Sequence, residues 1–163
     1  MKYPLLIAIL IVYGGDRMTV TFCGHREIHN QEEIKEKLLI ILTQLINEGA
    51  DCFLLGGYGA FDLIAANALH SLSADYPHIR STLVIPYLNR EPDLIELYDD
   101  TVYPPLEKVP PKLAIIKRNE WMVGKADVIV SCITHTWGGA AKTLEYARRK
   151  NKRVISLCEQ TLS

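Results

Sequence analysis

Three short glycine-bearing segments, each directly after an apolar run, constrain the fold more than any other feature of the sequence. They are Thr21-Phe22-Cys23-Gly24-His25-Arg26, Gly56-Gly57-Tyr58-Gly59-Ala60-Phe61-Asp62 and Trp137-Gly138-Gly139-Ala140-Ala141-Lys142-Thr143-Leu144-Glu145. Each reads as the end of a buried strand, a tight turn and the first turn of a helix. Backbone N–H groups and positive helix ends then gather at one edge of a parallel sheet. That is the physics of a phosphate or nucleotide site.

The apolar periodicity supports such a sheet. Strands are expected at Thr19 to Cys23, Asp51 to Leu55, Ser81 to Pro86, Lys112 to Ile116, Asp127 to Ile133 and Arg153 to Leu157. Helices are expected over Gln31 to Asn47, Ala60 to Ser73, Lys117 to Lys125 and Ala140 to Lys150, with a short one at Asp93 to Tyr98. Asn30 is placed to cap the first helix, with Glu33 at the capping-box position. Asp99 to Pro111 holds four prolines and reads as an extended loop. Continuous apolar strands alternating with helices give an α/β fold: a Rossmann-like, doubly wound, mainly parallel sheet with helices on both faces.

The length of 163 residues fits one domain, here expected over 18–163. Residues 1–17 read as an N-terminal extension. Tyr3 to Tyr13 is almost wholly apolar but too short to span a bilayer comfortably, and no membrane association is expected. Met18 opens the first strand directly, so a native start at Met18 is expected. A net charge of −1 shows no basic excess and weighs against nucleic acid as a partner. The run Arg148, Arg149, Lys150, Lys152 and Arg153 reads as a solvated helix end. Cys23, Cys52, Cys132 and Cys158 show no metal-ligand spacing and read as buried free thiols in a cytoplasmic protein. No metal and no resident cofactor are expected. A nucleophilic role for Cys23 or Cys132, both near loops, is the lesser alternative.

The candidate site residues follow from the three loops. Gly24 permits a sharp turn. Arg26 can grip phosphate or carboxylate, or pair with Glu27. His25 can contact a ligand or hold the loop by a hydrogen bond. Gly56, Gly57 and Gly59 let backbone approach a ligand. Asp62 can accept from a ribose hydroxyl or complement the helix dipole. Gly138 and Gly139 lead a helix carrying Lys142, which can neutralise phosphate, and Thr143, which is assigned to the ligand with them. Glu145 is the candidate catalytic residue, able to stabilise charge at an anomeric carbon; the plain alternative is pairing with Arg148 or Arg149. Trp137 can stack on a base or cap the core. Arg118 and Asn119 fall at the N-terminal end of their expected helix, where an arginine is unfavourable for the dipole, so both are assigned to the ligand. Trp121 and Met122 read as core.

Thr21 to Arg26, Gly56 to Gly59 and the stretch Arg118 to Arg149 resemble the SLOG superfamily of Rossmann-like proteins. The similarity covers nearly everything from Met18 on and is greatest to the YpsA-like group of small bacterial and phage members. The pattern Arg-Asn-x-Trp-Met-Val, then Ala-Asp-x-x-Ile, then Gly-Gly and Glu-Tyr-Ala occurs here between Arg118 and Ala147. The superfamily includes the "lonely guy" phosphoribohydrolases and the DNA-processing protein DprA. The phosphoribohydrolase signature Gly-Gly-x-Gly-Thr-x-x-Glu is matched by Gly138, Gly139 and Glu145, while Ala141 and Lys142 replace the third glycine and the threonine. The resemblance implies a homodimer that binds or senses a nucleotide or an ADP-ribose-type ligand. The alternative it implies is an N-glycosidic-bond hydrolase or transferase.

Overall fold

A computed structural model describes residues 17–158, so the expectations for residues 1–16 lie outside the described residues. The strands are β1 (Met18–Gly24), β2 (Ala50–Leu55), β3 (Arg80–Val84), β4 (Asp100–Val102), β5 (Val128–Cys132) and β6 (Arg153–Ser156). The helices are α1 (Gln31–Asn47), α2 (Gly59–Leu72), α3 (Ala114–Lys125) and α4 (Gly139–Arg149). All six strands are parallel, in the order β4-β3-β2-β1-β5-β6. The α/β, Rossmann-like reading of the sequence holds.

Alternation along each strand sorts the core into two layers. Val20 and Phe22 of β1, Phe53 and Leu55 of β2, and Val128 and Val130 of β5 share one core with Leu38 and Leu42 of α1 and Ala65 and Leu69 of α2. The intervening residues face the other helices: Cys23 and Ile129 pack with Val123, Leu144 and Ala147, and Cys52 and Leu54 pack with Met122. A strand buried on both faces has no polar side, which is why these strands read as largely apolar runs rather than as alternating ones. Thr21 is buried and donates its hydroxyl to the Leu54 carbonyl at 2.9 Å. As expected, Met122 is core; Trp121 is half-buried against the same cluster.

Four local expectations are corrected. The strand expected at Lys112 to Ile116 is a 3₁₀ turn, Pro111–Leu113, running into α3. The fixed φ of Pro111 suits a first helical turn. The sheet edge is instead taken by Asp100–Val102, inside the stretch expected to be loop. The prolines there begin only at Pro104, leaving the preceding residues able to pair. Asp99 anchors this edge by accepting from the Ser81 backbone N–H at 2.8 Å, and Asp100 pairs with Arg80 at 2.9 Å. Asn30 precedes α1 but does not cap it; its amide donates to the Glu33 carboxylate at 3.0 Å. A charged acceptor makes the stronger bond. Finally, Cys132 and Cys158 form a disulfide, so only Cys23 and Cys52 are free. β6 lies beside β5 with Ser156 opposite Ser131, and the Ser156 hydroxyl donates to the Cys158 carbonyl. The chain bends back over the end of β5, bringing the two Cα atoms to 5.1 Å, within disulfide reach. A separation of 26 residues hides that approach in the sequence.

Candidate functional site

Strand order reverses between β1 and β5: the chain moves outward through β2, β3 and β4, then returns to the other side of β1. Loops leaving neighbouring strands in opposite directions open a crevice at that point. The loop after β1 and the loop after β5 meet there, with the β2–α2 turn beside them. A cavity of about 560 Å³ lies between them.

The β1 and β2 loops are held together by backbone. The Ala60 N–H donates to the Arg26 carbonyl at 2.8 Å. Gly59 makes the approach possible: its φ is +87°, and a Cβ there would stand 2.7 Å from the Arg26 Cα. The Arg26 side chain is exposed on the cavity wall, and its guanidinium has no ion pair or hydrogen bond among the described residues.

Arg118 does different work from Arg26. Because α3 begins at Ala114, Arg118 sits on the second turn rather than at the helix start, correcting its expected position. It is 2% exposed, and Nη1 donates to the carbonyls of Gly56 and Val84, both at 2.7 Å. Nε donates to the Asn119 amide oxygen at 2.9 Å, and Asn119 Nδ2 reaches Thr143 Oγ1 at 3.4 Å. Thr143 in turn donates to the Gly139 carbonyl at 2.9 Å. This chain of bonds ties the β2 and β3 ends, α3 and the first turn of α4 into one frame.

Asp62, on the first turn of α2, faces both Arg118 and the cavity. Burial pushes its carboxyl up to about 6, opposed by the Arg118 guanidinium and the backbone N–H groups of Tyr58, Gly56 and Gly57. Its folded pKa therefore stands above the unfolded value of 3.8. The folded state holds this proton more tightly, so the contribution to stability is complete at low pH and is lost as pH rises through about 6. Asp62→Asn will consequently gain stability relative to the natural chain between pH 4.5 and 7.5. Urea denaturation at the two pH values measures this, and a relative loss at the higher pH would contradict it. Cys23 is a poor nucleophile in this setting. Burial pushes its thiol up to about 12, with the nearby Asp62 charge adding to the effect, and the thiol donates to the Ala140 carbonyl at 3.0 Å.

Three rings stack along the cavity wall. His25 lies on His135 with centroids 3.6 Å apart, and His135 lies on Trp137 at 3.8 Å. His25 Nε2 accepts from the backbone N–H of Thr134 at 3.0 Å and of His135 at 3.4 Å. Burial and the neighbouring His135 lower the His25 pKa, in keeping with a neutral ring accepting at Nε2. His135 Nδ1 lies 2.9 Å from the Trp137 carbonyl, which can only accept.

Of the sequence-predicted residues, Gly24, His25, Arg26, Asp62, Arg118, Asn119, Trp137, Gly138, Gly139 and Thr143 all line the cavity. Gly56, Gly57 and Gly59 shape the adjoining turn without lining it. Lys142 and Glu145 lie on the exposed side of α4, and Glu145 stands 4.0 Å from Arg149. Tyr58 and His135 line the cavity and were not singled out from the sequence. Tyr58 lay in plain view between Gly57 and Gly59. His135 had a weaker signal, as an aromatic two residues before Trp137 in a strand-end loop.

The YpsA family model, that of the YspA SLOG family, matches residues 21–103. The uncharacterized SPbeta prophage-derived protein YoqJ of Bacillus subtilis (strain 168) is 26% identical over 141 residues, covering 72% of this chain and 81% of YoqJ. DNA processing protein A of Helicobacter pylori, solved for its single-stranded DNA binding mode, superposes with a TM-score of 0.62 at 18% identity, covering 90% of this chain and 67% of the other. DprA of Streptococcus pneumoniae gives 0.65 at 18% identity; this chain is covered to 90% and spans about half of it (52%). The molybdenum cofactor carrier protein of Chlamydomonas reinhardtii gives 0.57 at 17% identity, covering 88% of this chain and 78% of the other. These structures share the fold, and the family match extends from within β1 through β4, across the first two glycine turns: the chain belongs to the YpsA SLOG family.

Proposed function

We propose that this protein binds or senses a nucleotide or nucleotide-derived ligand at the carboxyl ends of β1, β2 and β5. One observation carries the reading. An arginine with no ion-pair partner among the described residues, Arg26, stands on the wall of a cavity at the topological switch point. A lone exposed guanidinium on such a wall suits a bidentate phosphate contact. Backbone N–H groups at the start of α4 add positive potential to the same wall. Asp62 is the carboxylate placed to accept from a sugar hydroxyl.

Nucleoside monophosphates, ADP-ribose and NAD are the ligands to test, by thermal shift and calorimetry. Arg26→Ala will weaken the best of them at least tenfold, the loss of one charge-assisted bidentate contact being about 1.5–3 kcal/mol. Fold will be unaffected, because the side chain is exposed. An unchanged affinity in Arg26→Ala, or no binding across the panel, rejects the reading. Single-stranded DNA joins the panel, since it offers the same phosphate and base chemistry and is bound by DNA processing protein A of H. pylori. Light scattering on the same samples tests the homodimer that belongs to this proposal.

The alternative, cleavage or transfer at an N-glycosidic bond, needs a carboxylate facing the ligand. Asp62 meets that condition, whereas Glu145 stands outside the cavity wall. Chromatography for released base, with Asp62→Asn and Glu145→Ala side by side, separates turnover from binding and assigns the carboxylate.

A further inference from the structure

We infer that the outer face of Trp137 is a stacking platform for a purine ring, and that His135 and His25 are positioning residues that hold the indole in place. The inference rests on the proposed nucleotide reading and adds the base to it.

Trp137 is 71% exposed, so the core-capping alternative fails. An indole left in water at the edge of a cavity is an unusual use of the largest apolar side chain. Among the described residues, one of its faces carries a stacked ring, that of His135 at 3.8 Å with the planes 18° apart. The opposite face carries no ring among the described residues.

The support behind the indole is built rather than incidental. His25 is fixed by two backbone N–H groups converging on Nε2. His135 is stacked on His25 with the planes 13° apart and bonded through Nδ1 to the Trp137 carbonyl. Two of the three residues are thus tied to backbone, from two different loops. A platform held in advance loses little side-chain freedom when a ring lands on it. Stacking is sequence-tolerant because every base has a π-face, but its strength grows with ring area. That favours a purine over a pyrimidine. Arg26 on the same cavity wall supplies the phosphate contact that a bare base would lack.

The test uses the full chain with adenosine monophosphate, uridine monophosphate and ribose 5-phosphate, by calorimetry and by tryptophan fluorescence. Adenosine monophosphate will bind about 5- to 150-fold more tightly than ribose 5-phosphate, the range that one base on one aromatic side chain is worth. Uridine monophosphate will fall between them. Trp137→Leu will erase the difference and abolish most of the fluorescence quenching, while ribose 5-phosphate binds as before. Trp137→Phe will keep most of the preference. His135→Leu will reduce both the preference and the quenching without touching ribose 5-phosphate, an outcome that a purely structural role would not produce. Equal affinity for adenosine monophosphate and ribose 5-phosphate overturns the platform and leaves the phosphate site standing. So does a Trp137→Leu variant that loses both ligands alike. Equal binding of the two nucleotides overturns the purine preference. Failure of all three ligands overturns the nucleotide reading itself, and the platform with it.

Discussion

Arg118→Met will cost the domain about 3–5 kcal/mol of stability at neutral pH, the range found when one partner of a buried charge arrangement is removed. Arg118 is 2% exposed and gives two hydrogen bonds of 2.7 Å to carbonyls at the ends of two different strands. Methionine fills most of the volume but donates nothing. The Gly56 and Val84 carbonyls lose their donor, and the first polar link toward Asn119 and Thr143 is cut. Asp62 also loses the positive charge that holds its carboxyl down. Its pKa then climbs above about 6, and the destabilisation will be larger at pH 7.5, where the carboxylate must ionise, than at pH 4.5. Urea denaturation at both pH values checks the size and the sign. A loss below about 1 kcal/mol, or one equal at both pH values, would mean that the buried guanidinium is not the fastening described above.

Gly24→Ala is expected to be nearly as damaging, by crowding rather than by lost bonds. A methyl group built on Gly24 overlaps Cδ1 and Cγ of Phe61 and stands 2.5 Å from its Cβ. Rotating the ring cannot relieve the last contact, because Cβ is fixed to the α2 backbone. Phe61 is 1% exposed and packs edge-on to Phe22 at 6.3 Å, so it has nowhere to retreat. Helix α2 must shift as a body and carry Gly59 and Asp62 away from Arg26. The expected cost is about 1–3 kcal/mol or somewhat more, together with loss of ligand affinity. Phe61→Ala alone should cost about 3–5 kcal/mol. The double variant will be less destabilised than the sum, because removing the ring removes the overlaps with Cγ and Cδ1 and leaves only the Cβ contact. Strict additivity, or a Gly24→Ala protein within about 0.5 kcal/mol of the natural one, would refute the account.

These two sites show what could be read early and what could not. Gly24 was legible as a turn at a strand end. Its second task, making room for Phe61, depends on a residue 37 positions later in α2. Arg118 was legible as an arginine out of keeping with a helix start. Its burial was not, because it depends on α3 beginning at Ala114, nearly a turn before the local pattern indicates. Prolines at 110 and 111 suggested a break, whereas Pro111 opens the turn leading into the helix. The same over-reading of prolines hid β4. The disulfide is not legible in the sequence, because Cys132 and Cys158 meet only after β6 has docked beside β5.

Among the described residues, the sequence by itself determined the α/β alternation, all four α-helices, five of the six strands and the edge of the sheet on which the glycine turns gather. Those are consequences of apolar period and local turn chemistry, which act over a few residues. The tertiary structure alone decided which side chains meet at that edge. It placed Arg26 on the cavity wall and Arg118 beneath it, turned Glu145 outward, and stacked His25, His135 and Trp137 from two loops more than a hundred residues apart in sequence. The physical reason is strand order. Parallel pairing sets β5 against β1 across that separation, and no local pattern records which strands will be neighbours.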